Sequence, residues 1–184
     1  MLKLNRISST DEFLLDSMVN HYGKPKGFVG RRIPFEIMYN NERYGHIVAN
    51  SAFKHIRGRD EYLNVKSADC LNQIIYNGFF FIERINGEYP CRNFVTKVLL
   101  AFENIACREW EEEYGDKVMA LETLVKPPRI GLCYMRAGWE LIGATVGYEC
   151  KRIKGKEKNY NMKKIWDRSK KVPKLIYIKT IPQI

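Results

Sequence analysis

Two carboxylates in this sequence of 184 residues stand where a proton-transfer group could be made: Asp60, in Arg57-Gly58-Arg59-Asp60, and Glu122, inside the otherwise apolar run 118–125. A carboxyl group desolvated on a core strand resists ionisation, which lifts its pKa toward the range where it can exchange a proton near neutral pH. Each also has a plain structural reading as half of an ion pair, and Arg57 and Arg59 are ready partners for Asp60. Tyr134 falls on an amphipathic segment, where a phenol is either core packing or a proton donor. His21, beside Tyr22 at the end of a predicted helix, is placed to cap helix carbonyls or to touch a substrate. Lys24, Lys26, Arg31 and Arg32 follow in a glycine-containing stretch, and their clustering suits a phosphate backbone.

The elements that must hold these residues are legible from spacing and turn chemistry. Ser9-Thr10-Asp11-Glu12 resembles a capping box and predicts a helix running to about Asn20. Residues 21–32 form a basic loop. Residues 33–39 and 43–52 read as antiparallel strands around Asn40-Asn41-Glu42, because asparagine tolerates positive φ. A buried strand is expected at 79–82, after Asn77-Gly78. From Asn93 to Trp110 apolar side chains recur every three or four residues, which predicts one long helix with an acidic end at Glu109 and 111–113. A core strand over 118–125 stops at Pro127-Pro128, and a short helix over 130–137 stops at Gly138. Strands at 139–142 and 145–150 close the domain. The fold class is α/β, a mixed sheet flanked by helices.

Composition sets the frame. With 45% hydrophobic residues the chain suits a single core. No apolar run approaches the ~20 residues that span a bilayer, and the first residues lack a signal-like stretch, so a cytoplasmic protein without membrane contact is expected. The five cysteines and three histidines are scattered, so neither a disulfide framework nor a metal site is predicted. The net charge of +10 is local: residues 151–184 hold twelve Lys or Arg against Glu157 and Asp167, while residues 1–150 sum to zero. We therefore read one domain over 1–150 and a basic extension, 151–184, packed on it. Tyr160, Trp166 and Tyr177 stand among the lysines of that extension, Lys163 and Lys164 included. Such a segment either keeps the protein soluble or holds phosphates while its rings stack on bases or pack on the domain.

Tyr134, followed by Gly138-Trp139, resembles the end of the fourth helix of the Gcn5-related N-acetyltransferase superfamily. There such a tyrosine lies near the donor sulfur. Further segments narrow the likeness: His21-Tyr22, Val29-Gly30-Arg31, Gly45-His46, Asn50-Ser51-Ala52, Arg59-Asp60, Leu71-Asn72, Asn77 and Arg92-Asn93. Leu121-Glu122-Thr123-Leu124-Val125, Gly131-Leu132-Cys133-Tyr134 and Gly143-Ala144-Thr145-Val146-Gly147 complete it. In order and spacing, over residues 21–150, they resemble a family that includes the A component of Druantia anti-phage systems, with phage Mom DNA-modification proteins more distant.

The resemblance implies a Gcn5-related fold and, from Mom, addition of a carbamoylmethyl group to adenine N6 in phage DNA, which blocks restriction enzymes. The acceptor would be a base extruded from double-stranded DNA. Asp60, Glu122 or His21 would then take up a proton, and Tyr134 would donate one. Arg57 and Arg59, with Ser51 and Asn72 chosen from the likeness alone, would join the loop and the basic segment in holding the nucleic acid. One departure stands out, because residues 91–97 lack the glycine-rich turn with which acetyltransferases wrap the coenzyme A pyrophosphate. Arg92, Asn93, Thr96, Lys97 and the helix amides are left to bind a donor, which is either acetyl-coenzyme A or an RNA-borne one such as an aminoacyl-tRNA. The competing readings are a non-catalytic DNA-binding component of a phage defence or counter-defence system, and an ordinary acetyltransferase for amines or proteins.

Overall fold

The computed structural model describes residues 1–21, 30–153 and 163–182, with the backbone alone for 148–153 and 163–170. Its elements run β1 (Leu2–Arg6), α1 (Glu12–Asn20), β2 (Arg32–Tyr39), β3 (Glu42–Ser51), α2 (Arg57–Tyr62), a 3-10 turn (Asp69–Gln73), β4 (Ile74–Ile82) and α3 (Phe94–Tyr114). They continue as β5 (Ala120–Val125), α4 (Leu132–Arg136), β6 (Glu140–Ala144), β7 (Tyr148–Ile153), β8 (Lys163–Lys171) and β9 (Leu175–Thr180).

The hairpin β2–β3 turns at Asn40 and Asn41, both at positive φ, as the asparagine pair predicts. α3 buries Phe94, Val98, Leu99, Phe102, Ala106 and Trp110 along one stripe. It runs past the expected end and stops at Gly115, whose left-handed backbone lets its amide reach the Glu111 carbonyl at 2.9 Å. At α1 the expected capping box is absent. Asp11 alone caps the helix, its carboxylate accepting the Leu14 amide at 3.0 Å, while the Ser8 and Thr10 hydroxyls bond each other at 2.8 Å.

Seven strands form one sheet in the order β1-β2-β3-β4-β5-β9-β6, and β7 and β8 pair as a separate antiparallel ribbon. α3 and α4 cover one face, packing on Phe35, Ile37, Ile47, Leu121 and Tyr177. On the other face α1 sets Leu14 and Met18 against Val48 and Phe79, and the N-terminal flank of α2 sets Ile56 against Ala120, Ile176 and Ile178.

Several elements depart from the sequence reading. β1, α2 and the 3-10 turn lie in stretches too short or too polar to show a period. β4 starts at Ile74 rather than 79, because its first half carries Tyr76, Asn77 and Gly78, which read as a turn. The segment after residue 150 is also no mere appendage, since β9 lies between β5 and β6, paired antiparallel with both. Among the described residues no helix is long and apolar enough to cross a membrane.

Candidate active site

β4 and β5 are parallel neighbours but share only the pairs Ile74–Ala120, Ile75–Leu121 and Tyr76–Glu122. Past them β4 continues beside β3 and β5 beside β9, so the sheet parts between the two strands. A bulge marks the place: Ala49 pairs with Asn77 and Val48 with Phe79, which leaves Gly78 as the extra residue. Across the parting Thr123 Oγ1 donates to the Asn77 carbonyl at 3.0 Å.

Tyr134 is brought to this point by α4. Gly131, at φ 69°, opens that helix, and a Cβ there would meet the Tyr177 ring at 2.6 Å. One turn later Tyr134 stacks on Tyr177, centroids 5.8 Å apart, and meets the edge of Trp139 at 5.2 Å. Gly138 reverses the chain so that the Trp139 amide donates to the Tyr134 carbonyl at 3.0 Å, and Trp139 Nε1 anchors on Glu103 of α3 at 2.8 Å. That is the physical content of the Tyr-x-x-x-Gly-Trp spacing. The Tyr134 hydroxyl accepts from Asn77 Nδ2 at 3.2 Å.

Glu122 lies on the opposite face, because successive strand residues alternate and Thr123 faces α3. Arg59 of α2 and Glu122 are both fully buried and joined at 2.8 Å. The same guanidinium donates to Asp60 at 2.6 Å and to the Phe53 carbonyl at 2.6 Å. Burial pushes the Glu122 pKa up to about 7 against the pull of Arg59 and a weaker one from the Phe53 amide. Its Oε1 meets no hydrogen-bond partner at bonding geometry among the described residues. Glu122 and Tyr134, expected to take up and to donate a proton in one reaction, therefore stand on opposite sides of the sheet.

The cationic side chains expected to hold nucleic acid divide. Arg59 is sealed in the core and reaches no surface. Arg57 pairs with Glu61 at 2.7 Å, and Arg31 pairs with Asp116 with its guanidinium over Tyr114. Arg32 is exposed and lines a hollow of about 330 Å³ with Arg6, Ser8, Ser9 and Tyr114. Ser51 Oγ accepts the Arg31 amide at 3.0 Å, and the Asn72 carbonyl accepts Trp110 Nε1 at 2.9 Å; both fix the fold locally. His21 is buried against Phe79, centroids 4.8 Å apart. Desolvation and then the Arg129 cation lower its pKa, so it is neutral near pH 7. Tyr177, counted among the aromatics of the basic segment, is fully buried beneath Tyr134. Tyr22, Lys24, Lys26 and Tyr160 lie outside the described residues, and for Lys163, Lys164 and Trp166 only the β8 backbone is described.

At the start of α3, Arg92, Asn93 and Lys97 are exposed and Thr96 is half-buried. Asn93 takes φ 58°, ψ 27°, the left-handed conformation glycine would otherwise provide, and its side chain does not cap the helix. No group of three His, Cys, Asp or Glu among the described residues is arranged to hold a metal ion. Sequence reasoning missed Asn77 and Thr123 as site residues. The signal available was Asn77-Gly78 inside an apolar stretch, which marks a bulge as readily as a turn.

Solved acetyltransferase structures match nearly the whole chain. An aminoglycoside acetyltransferase in complex with coenzyme A superposes with a TM-score of 0.57 at 16% identity, covering 98% of this chain and 95% of that one. The fold is that of the Gcn5-related N-acetyltransferases. A Bacillus subtilis acetyltransferase in complex with coenzyme A gives 0.59 at 10% identity, over 99% of this chain and 100% of that one. An Elizabethkingia anophelis acetyltransferase of the Gcn5-related family with acetyl-coenzyme A bound gives 0.55 at 10%, over 98% of both. No protein-family model and no curated protein matches the sequence. The parting and Tyr134 lie on the α3 side of the sheet, where Tyr134 meets Asn77 and the neighbouring Trp139 meets Glu103 in the middle of α3.

Proposed function

We propose that the chain is an acyltransferase that takes a thioester donor into the parting between β4 and β5 and passes its acyl group to an amine. Such a transfer must place a proton on the leaving sulfur and remove one from nitrogen. The observation that carries the reading is Tyr134, whose hydroxyl is held at the parting by Asn77 while two aromatic rings fix its own. The donor we favour is an acyl-coenzyme A rather than an RNA-borne one, because the solved neighbours include complexes with coenzyme A. When bound, that donor supplies an acyl carbon activated as a thioester. The exposed Arg92 and Lys97 beside amides that no side chain caps fit its phosphates, and Asn93 stands in for the missing glycine.

For the acceptor we propose an amino group of nucleic acid, adenine N6 in duplex DNA, as the family resemblance implies. What supports it is charge: the chain carries +10, all of it from the segment after residue 150. Arg59 is withdrawn from that surface by burial, and Asp116 and Glu61 offset the charges of Arg31 and Arg57, so Arg32 and the basic segment carry the proposal.

The test is to incubate the full chain with acetyl-coenzyme A and duplex DNA, single-stranded DNA or small-molecule amines. Free thiol is followed, and the nucleosides are then weighed by mass spectrometry. Expected are thiol release with DNA, a mass-shifted deoxyadenosine, and a loss of about 10²–10³ in rate for Tyr134→Phe. Thiol release with amines alone would replace the nucleic-acid acceptor. DNA binding without thiol release in any mixture would return the non-catalytic reading.

A further inference from the structure

We propose that Asn77 is the positioning residue that aims the Tyr134 proton, a role that rests on the acyltransferase reading. Asn77 sits on β4 immediately before the bulge and is 3% exposed. Thr123 occupies its carbonyl and pins the strand. Its Nδ2 donates to the Tyr134 hydroxyl at 3.2 Å, and its Oδ1 is buried with no hydrogen-bond partner among the described residues.

The direction of that bond matters. A phenol oxygen that accepts from an amide keeps its own proton outside the bond, directed away from Asn77. After the proton leaves, the same N–H still points at the oxygen, and a bond to phenolate is charge-assisted and stronger. Turned over, the amide would draw the hydroxyl proton onto Oδ1 and bury both N–H groups of Nδ2 away from that partner, which costs more. In the transfer, the C–N bond forms as the thioester C–S bond breaks. Tyr134 gives its proton to sulfur, and the proton lost from nitrogen restores the phenol. Asn77 touches none of the reacting atoms.

The test reads Tyr134 directly, by carbon-13 NMR of labelled tyrosine in the full chain, assigned with Tyr134→Phe. Expected is a Tyr134 resonance that titrates at higher pH in Asn77→Ala than in the wild type, and higher again in Asn77→Asp, which accepts where the amide donated. Asn77→Asp keeps the volume, so the comparison survives if Asn77→Ala does not fold. A resonance titrating at the same pH in all three proteins overturns the proposal.

Thiol release from acetyl-coenzyme A, with water as acceptor, separates the two readings. In Asn77→Asp, kcat should fall about tenfold with KM kept, and the alkaline limb of its pH profile should move with the resonance. If the resonance moves but the wild type releases no thiol, the acyltransferase reading fails and the hold on the Tyr134 proton stands. If the wild type and both variants release thiol at equal rates, the positioning role fails and the acyltransferase reading stands.

Discussion

His46 shows how burial alone sets the behaviour of a side chain. It is fully buried beneath α1, with Nδ1 3.1 Å from Ser17 Oγ and Nε2 without a partner among the described residues. Desolvation lowers its pKa to about 4; Asp11 and Glu36 work against that and Arg43 with it. In the unfolded chain the imidazole takes a proton near pH 6.5, so on acidification the unfolded state is protonated first. The stability this neutral histidine contributes is therefore complete above pH 6.5 and lost as the pH falls toward 4, by on the order of 3 kcal/mol. Urea unfolding at steps from pH 7 to pH 4 should show the slope, and His46→Gln should flatten it; an unchanged slope would assign the acid sensitivity elsewhere.

At the scale of elements, α2 is held to the sheet by a charge that cannot reach water. Arg59 on that helix meets Glu122 on β5, each completely buried, with Asp60 and the Phe53 carbonyl taking its other donors. A buried pair contributes little over a well-packed apolar pair, but removing one partner strands the other in a medium that does not solvate it. Arg59→Met alone should lose about 3–5 kcal/mol, and Arg59→Met with Glu122→Met should recover most of it. A double-mutant cycle by chemical denaturation measures the coupling. If Glu122 serves instead as a base on the α2 face, the double variant will be stable yet inactive, so the two roles separate in one pair of proteins.

For the whole molecule, β9 (Leu175–Thr180) decides whether the sheet exists. β9 supplies six residue pairs to β5 and four to β6, so it lies inside the sheet, while among the described residues the strand before it, β8, pairs with β7. Deleting residues from 175 onward would expose the β5 edge, remove Tyr177 from beneath Tyr134, and leave β6 without its partner. We expect that truncated chain to lose cooperative unfolding, seen by circular dichroism and a flat thermal trace. A truncated protein that melts sharply would mean the sheet closes without β9. The basic segment thus has two parts with different duties: β9 builds the core, and the lysine-rich remainder carries the charge.

The sequence by itself determined the α/β class, the β2–β3 hairpin, α3 and the short helix bearing Tyr134. Each is written in local spacing: asparagines that tolerate positive φ, a stripe every three or four residues, and glycines that start and stop a turn. Only the tertiary structure decided which chemistry-bearing residues meet. Glu122 and Tyr134 looked like partners because both lie in strong motifs, yet alternation along β5 puts the sheet between them. Arg59 read as a surface cation because nothing local shows that its partner lies 63 positions away. Leu175-Ile176-Tyr177-Ile178 vanished into a basic tail because burial between β5 and β6 is a property of strand order, which no window of sequence contains.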